Sequence, residues 1–254
     1  VISYDLSDKC VLVTGASSGI GLATARMLAG FGASVAVNHL PDDARGPRAV
    51  DDIVNCGGRA VAAPGNVGIA GDAERMVETA IDALGGLDLL VNNAGTPATS
   101  RSVPPADFDG LTEEMWTTIF STNLVGAFRC TRAAAAALKA RQGAIVSTAS
   151  LSGLGFPGSS IAYTSQKAAL INLTKDLARA LAPQVRVNAI APGSVNSAWM
   201  VQWSAQEVAN TVERSLLKRR GEPEDYAAVI TFLAFGTRLM TGQTVVVDAG
   251  AMLA

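Results

Sequence analysis

The chain has 254 residues and a formal charge of −2 with both signs mixed along it, so it offers no basic stripe for nucleic acid and no polybasic segment for a membrane surface. No apolar run reaches the length of a membrane span, and Val1 to Lys9 carries acids where a signal peptide carries bases, which predicts a cytoplasmic protein. Cys10, Cys56 and Cys130 are far apart and lack metal-ligand spacing, and His39 is the one histidine, so neither a disulfide nor a metal site is expected.

Apolar, β-branched runs alternate with longer helical patterns from end to end. In chain order the strands are expected at Cys10–Thr14, Ser34–Asn38, Ala60–Ala63, Leu87–Val91, Ala144–Ser147, Val185–Ile190 and Thr244–Val247. Between them the spacing predicts helices at Gly19–Gly30, Ala44–Cys56, Ala70–Leu84, Thr112–Lys139, Ala162–Leu181, Ala205–Lys218 and Glu224–Phe235. Repeated βα units with nearly continuous hydrophobicity in the strands predict an α/β, Rossmann-type doubly wound parallel sheet of seven strands, with helices on both faces and one domain over 1–254. The alanine run Ala133–Ala137 suits close approach of one helix to another.

The turn after the first strand, Thr14-Gly15-Ala16-Ser17-Ser18-Gly19-Ile20-Gly21, opens directly into a helix. Glycines there permit a tight turn and bring a pyrophosphate close to the backbone N–H groups of a helix N-terminus. The same residues fit the G-x-S-x-G elbow of a hydrolase. That reading needs an acid and then a histidine after the serine, yet no Asp or Glu lies between Ser17 and His39, and it fails on that inventory.

Tyr163 and Lys167 stand four residues apart in a predicted helix, hence on one face. An adjacent ammonium favours a phenolate, so Lys167 is expected to lower the pKa of Tyr163 and make it a usable base. By itself such a pair is commonly ordinary helix surface.

With its companions the pair is more specific. The chain resembles the short-chain dehydrogenase/reductase family over nearly its whole length: the glycine motif falls on Thr14 to Gly21, an Asn-Asn-Ala-Gly motif on Asn92 to Gly95, the active-site serine on Ser150, the Tyr-x-x-x-Lys motif on Tyr163 to Lys167, the helix asparagine on Asn123 and a Pro-Gly turn on Pro192-Gly193. Within the family it resembles the subgroup of 3-oxoacyl carrier-protein reductases and glucose dehydrogenase-like enzymes. The resemblance implies hydride transfer between a nicotinamide dinucleotide and an alcohol or carbonyl compound, with Tyr163 as general acid/base. It implies that Ser150 meets the substrate oxygen, that Lys167 tunes Tyr163 and holds the nicotinamide ribose, and that Asn123 helps connect Lys167 to solvent. It implies cofactor contacts from Gly15, Ser17, Ser18, Gly19, Ile20, Gly21, Asn38, His39, Asn66, Val67, Asn93, Ala94, Gly95, Tyr163, Lys167, Pro192, Gly193, Val195 and Ser197. Two positions depart from the family pattern: Asn66 stands where an Asp is usual, and Ser197 where a threonine is common.

Asn38-His39-Leu40 occupies the place where an NAD-selective enzyme carries an acid, so NADP(H) is expected to be preferred, with NAD(H) possible. Ser17, Asn38, His39, Arg45 and Arg48 are candidates to meet the 2′-phosphate, and Asp42 and Asp43 oppose it. For the substrate, Ser150, Ser152, Phe156, Tyr163, Trp199, Met200 and Trp203 are candidates, the last three in a lid expected over 194–217. The partner expected is a small alcohol or carbonyl compound, and the family resemblance implies a homotetramer pairing the helices at 112–139 and 162–181. Two alternatives stay open. A 3-oxoacyl carrier-protein reductase would need basic residues for an acidic carrier, for which Arg129 is placed while Gln184 replaces another base. A non-catalytic dinucleotide-binding protein is the other, opposed by four intact catalytic positions.

Overall fold

The structure is a computed structural model and describes residues 3–197 and 204–254. Seven parallel strands form one sheet: β1 (Cys10–Val13), β2 (Ser34–His39), β3 (Arg59–Pro64), β4 (Leu89–Asn92), β5 (Ala144–Thr148), β6 (Arg186–Pro192) and β7 (Thr244–Val247), in spatial order β3-β2-β1-β4-β5-β6-β7. The expected fold class is therefore the observed one, with strand ends within two residues of those read from the sequence.

Strand periodicity decides which helix packs where. Val11, Val13, Val35, Val37, Leu89 and Val91 face α1 (Gly19–Gly30), α2 (Arg45–Asn55) and α8 (Pro223–Thr231). The intervening Leu12, Ala36, Leu90, Ile145 and Val187 face the opposite layer, which takes α3 (Asp72–Leu84), α5 (Gly126–Arg141) and α6 (Ile161–Leu181). Both faces of every central strand are thus covered, which is why the strands read as unbroken apolar runs rather than alternating ones. The alanine run sits where α5 meets α3: Ala134 is buried against the cluster holding Met76 and Val77, so small side chains let two helices share one face of the sheet.

Three helices differ from their sequence-based extents. The long helix expected at 112–139 is α4 (Glu113–Phe120), a π-helical turn at Ser121–Val125, and α5. Periodicity does not reveal a one-residue insertion that leaves the helix axis running on. The helix expected at 205–218 stops early, as α7 (Ala205–Glu213), and the end of the last one becomes a second π-helical turn at Phe232–Gly236. Among the described residues no helix is long and apolar enough to cross a membrane.

Strand order reverses between β1 and β4, the neighbours whose following segments depart to opposite sides, and a crevice opens there beyond the carboxyl ends of the strands. The glycine-rich turn follows β1 and the Asn92–Gly95 segment follows β4, so topology alone places these two motifs side by side.

Candidate active site

Glycine is required at two points of the first turn, at Gly15 by conformation and contact and at Gly21 by contact. Gly15 has φ +60°, and a Cβ on it would lie 2.8 Å from Ala94 Cα; a Cβ on Gly21 would lie 2.4 Å from the carbonyl oxygen of Gly15 and 2.6 Å from Asn93 Nδ2. Thr14, left out of the site on sequence, is the bolt between the two motifs: its Oγ1 donates to Val91 O and accepts from the N–H groups of Asn93 and Ala94 at 2.9 and 3.0 Å. Asn93 returns the contact, donating through Nδ2 to Thr14 O and Gly15 O, both at 3.1 Å, while its Oδ1 accepts from Thr148 Oγ1. Ser18 enters α1 in extended backbone with no side-chain cap, so the first-turn N–H groups of Gly19, Ile20 and Gly21 are left for an anionic group. A Cβ on Gly19 would stand 3.7 Å from Ser197 Cβ, which puts the glycine turn across a narrow gap from the segment after Pro192-Gly193. Gly193 is itself held close to Asp248, and Val195 bridges to Gly221.

The end of β2 is arranged differently from a free ribose contact. Asn38 is buried and its amide is fully engaged: Oδ1 accepts from Gly15 N at 3.0 Å, and Nδ2 donates to Ala63 O and Gly65 O, both at 3.0 Å. The His39 ring is buried against Gly46, with Nδ1 2.8 Å from Leu40 O. Both side chains shape the turn from within. Asp43, expected only to oppose a 2′-phosphate, engages two of the groups expected to meet it: it accepts from Ser17 Oγ at 2.7 Å and binds Arg45 through two nitrogens at 2.8 and 2.9 Å. That guanidinium, with the Ser17 hydroxyl, holds the Asp43 carboxyl well below the usual carboxylate range. In the turn after β3, Asn66 Oδ1 accepts from Gly68 N at 2.9 Å, which closes an Asx turn and leaves one lone pair, and Val67 is buried.

Ser160 caps α6 by accepting from Tyr163 N at 3.1 Å, which fixes where the helix starts and hence which way Tyr163 and Lys167 point. Lys167 is buried and donates through Nζ to Thr148 O at 2.7 Å; the nitrogen lies 5.5 Å from the centre of the Tyr163 ring. Burial pushes Lys167 down to about 7 and Tyr163 up to about 12, against which hydrogen bonding from Ser150 favours the phenolate. In the protein alone, loss of hydration dominates both groups: it raises Tyr163 and disfavours the charge by which Lys167 is expected to lower it.

Ser150 begins the 3₁₀ turn Leu151–Leu154 and accepts from Ser152 N at 3.1 Å, so its hydroxyl is oriented by backbone. Ser152 is buried beneath Gly158, and Phe156 is partly exposed on the following loop. Asn123, in the π-helical turn, is buried and bonds Thr96 twice, accepting from its N–H at 2.7 Å and donating to its carbonyl at 2.9 Å. Ser150, Tyr163, Lys167 and Asn123 thus come from three segments, the turn after β5, α6 and the π-helical turn, that meet at one end of the sheet. Trp199, Met200 and Trp203, and with them the centre of the expected lid, lie outside the described residues.

A family model described as Enoyl-(Acyl carrier protein) reductase matches residues 15–252. A short chain dehydrogenase from Burkholderia cenocepacia, solved in complex with NADP, superposes with a TM-score of 0.88 at 33% identity, covering 98% of this chain and 99% of that one. The chain belongs to the short-chain dehydrogenase/reductase family. Among named relatives, a 3-oxoacyl-(acyl-carrier-protein) reductase of Synechocystis is 35% identical over 98% of both chains. An L-rhamnose 1-dehydrogenase (NAD(P)(+)) of Azotobacter vinelandii is 36% identical, covering 96% of this chain and 97% of the relative. As a member of this family the protein is an oxidoreductase acting between CH–OH and C=O groups with a nicotinamide dinucleotide.

Proposed function

We propose that this dehydrogenase/reductase interconverts a small to medium alcohol and its carbonyl form, with Tyr163 as the proton donor or acceptor and NADP(H) as the preferred cofactor. The observation that carries the reading is the convergence of Ser150, Tyr163 and a buried Lys167 on one crevice, beside a glycine turn in which added Cβ atoms would collide with backbone. The bound dinucleotide supplies or accepts the hydride. Ser150, held by Ser152 N, orients the substrate oxygen towards Tyr163. Tyr163 passes a proton to that oxygen in reduction and takes it in oxidation. Lys167, fixed by Thr148 O, uses one of its three donors there and keeps two for the ribose side and for proton return.

The preference for NADP(H) rests on the absence of a carboxylate at the end of β2 and on the pairing of Asp43 with Arg45, which neutralises the nearest acid. A carrier-protein reductase is the second reading, favoured by the name of the Synechocystis relative. Against it, Arg129 spends Nη1 on the carbonyls of Val67, Gly68 and Ser121 rather than presenting its charge to a carrier. Assembly as a homotetramer is part of the reading: Val125, at the end of the π-helical turn, and Phe128 of α5 are exposed beside Leu173 of α6, and a second copy pairing there would cover them. Residence in the cytoplasm is also part of it, in line with the free thiols of Cys10, Cys56 and Cys130.

The test is a panel of ketones, sugars and acyl thioesters offered with each cofactor, read by absorbance of the reduced nicotinamide. Turnover of free carbonyl compounds, fastest with NADPH, is expected. Turnover confined to acyl thioesters would replace the first reading by the second, and none with any carbonyl would overturn both.

A further inference from the structure

Gln166 stands at an unspecified position of the Tyr-x-x-x-Lys motif, immediately before Lys167, and is completely buried. Its Oε1 accepts from Asn123 Nδ2 at 3.2 Å. Its own Nε2 is buried and has no hydrogen-bond partner. Asn123 meanwhile holds the Thr96 backbone through two bonds, so the two side chains and that backbone form one tie from α6, through the π-helical turn, to the segment that follows Gly95.

A buried amide with half its capacity unused is a poor choice for packing, because an apolar side chain of the same length would leave no orphaned donor of its own. The contact that Gln166 does make is with a residue of the catalytic constellation. It joins Asn123 to the helix that carries Tyr163 and Lys167, and Gln166 lies three residues from Tyr163, which puts the two on neighbouring rows of α6.

We propose that Gln166 is a positioning residue: by accepting from Asn123 it sets the π-helical turn against the Tyr163–Lys167 part of α6, and with it the geometry by which a proton returns to Tyr163. The inference rests on the proton-transfer role given to Tyr163, Lys167 and Asn123 above. It touches no reacting atom. Its effect runs through Asn123.

Counting buried donors separates this role from a structural one. In Gln166→Met the orphaned Gln166 Nε2 disappears, and Asn123 Nδ2 loses one of its two acceptors but keeps Thr96 O, so no buried amide nitrogen of the pair is left wholly unpaired and melting temperature should hold. The experiment measures kcat, cofactor dissociation constant, melting temperature and the pH profile of kcat for wild type, Gln166→Met, Gln166→Glu, Asn123→Ala and the double variant Gln166→Met/Asn123→Ala. For Gln166→Met the expected result is a kcat lower by about tenfold, with a displaced pH profile and cofactor affinity unchanged within about twofold. Gln166→Glu, which keeps an acceptor for Asn123, should recover most of the loss. The double variant should be no slower than Asn123→Ala alone, since a residue acting only through another adds nothing once that one is gone. The proposal is overturned if Gln166→Met turns over at the wild-type rate, if its activity falls only in step with melting temperature, if Gln166→Glu is no better than Gln166→Met, or if the two single losses add. Loss of the proton-transfer reading itself would show separately, as activity surviving in Tyr163→Phe.

Discussion

Lys167 reaches from α6 to the last residue of β5 and donates through Nζ to Thr148 O at 2.7 Å. A helix side chain is thereby pinned by a strand carbonyl, and the ammonium is taken out of water with one backbone oxygen as its partner among the hydrogen bonds described.

The pH dependence of stability follows from that burial. Lys167 is pushed from an ordinary 10.5 down to about 7, so between those values the unfolded chain holds a proton that the folded protein has lost. Stability therefore rises with pH across that window, and the cost of the buried charge is fully present below pH 7. Between pH 6 and 9, below the range in which Tyr163 titrates, the wild type should gain up to about 3 kcal/mol relative to Lys167→Met. Denaturant unfolding at the two pH values checks this, and parallel curves for the two proteins would overturn it.

Tyr163→Phe keeps the ring and removes the hydroxyl. Turnover should drop by about 10²- to 10⁴-fold, the ordinary worth of a positioned acid or base, while cofactor affinity measured by fluorescence titration stays the same. Because Tyr163 must give up a proton to act as a base and burial raises its pKa, alcohol oxidation by the wild type should quicken as pH rises. Residual activity above about a tenth of wild type in the Phe variant would assign the proton transfer elsewhere.

Much of this was readable from residue order. The seven strands follow from apolar runs, because both faces of the sheet are covered, and the four positions proposed as catalytic follow from the motifs that carry the family resemblance. What could not be read was partnership. Nothing in the spacing says that Asn38 turns its amide inward to Gly15, Ala63 and Gly65, or that Ser17 meets Asp43 across 26 residues of chain. Thr14, Thr96 and Gln166 escaped notice for the same reason, since each works by a contact distant in sequence. The rise that burial gives Tyr163 was not legible, because adjacency on a helix gives proximity to a charge and says nothing of how much water remains around it.

Two glycines of one turn should respond differently to the same methyl group. Gly21→Ala drives a Cβ to 2.4 Å from Gly15 O and 2.6 Å from Asn93 Nδ2, so it should destabilise the protein by about 1–3 kcal/mol, as overpacking does. Gly19→Ala meets nothing nearer than Ser197 Cβ at 3.7 Å, and its cost to folding is the left-handed backbone alone, about 1–2 kcal/mol. That methyl projects into the gap between the turn and Ser197, so cofactor affinity should fall tenfold or more, roughly 1.4 kcal/mol. Melting curves with and without NADPH distinguish the two, and a Gly19→Ala protein that binds cofactor normally would remove the pyrophosphate from this gap.

The choice between NADP(H) and NAD(H) should turn on Asp43. Its carboxylate is held by Ser17 and by a two-pronged bond from Arg45, so a 2′-phosphate arriving beside Ser17 meets an acid whose charge is balanced but whose partner is occupied. Asp43→Asn keeps the shape, removes the negative charge and releases Arg45. A repulsion between unit charges some 4 Å apart at moderate dielectric is worth up to about 4 kcal/mol, and a solvent-exposed arginine screens only part of it. The ratio of kcat/KM for NADPH over NADH should therefore rise by about tenfold or more in the variant. Arg45→Ala, which leaves Asp43 charged and uncompensated, should move the ratio the opposite way. Steady-state kinetics on one good substrate with both cofactors decides it. Ratios that stay at the wild-type value in both variants would place the 2′ position away from the Ser17–Asp43–Arg45 group, and an advantage of about tenfold or more for NADH in the wild type would reverse the preference itself.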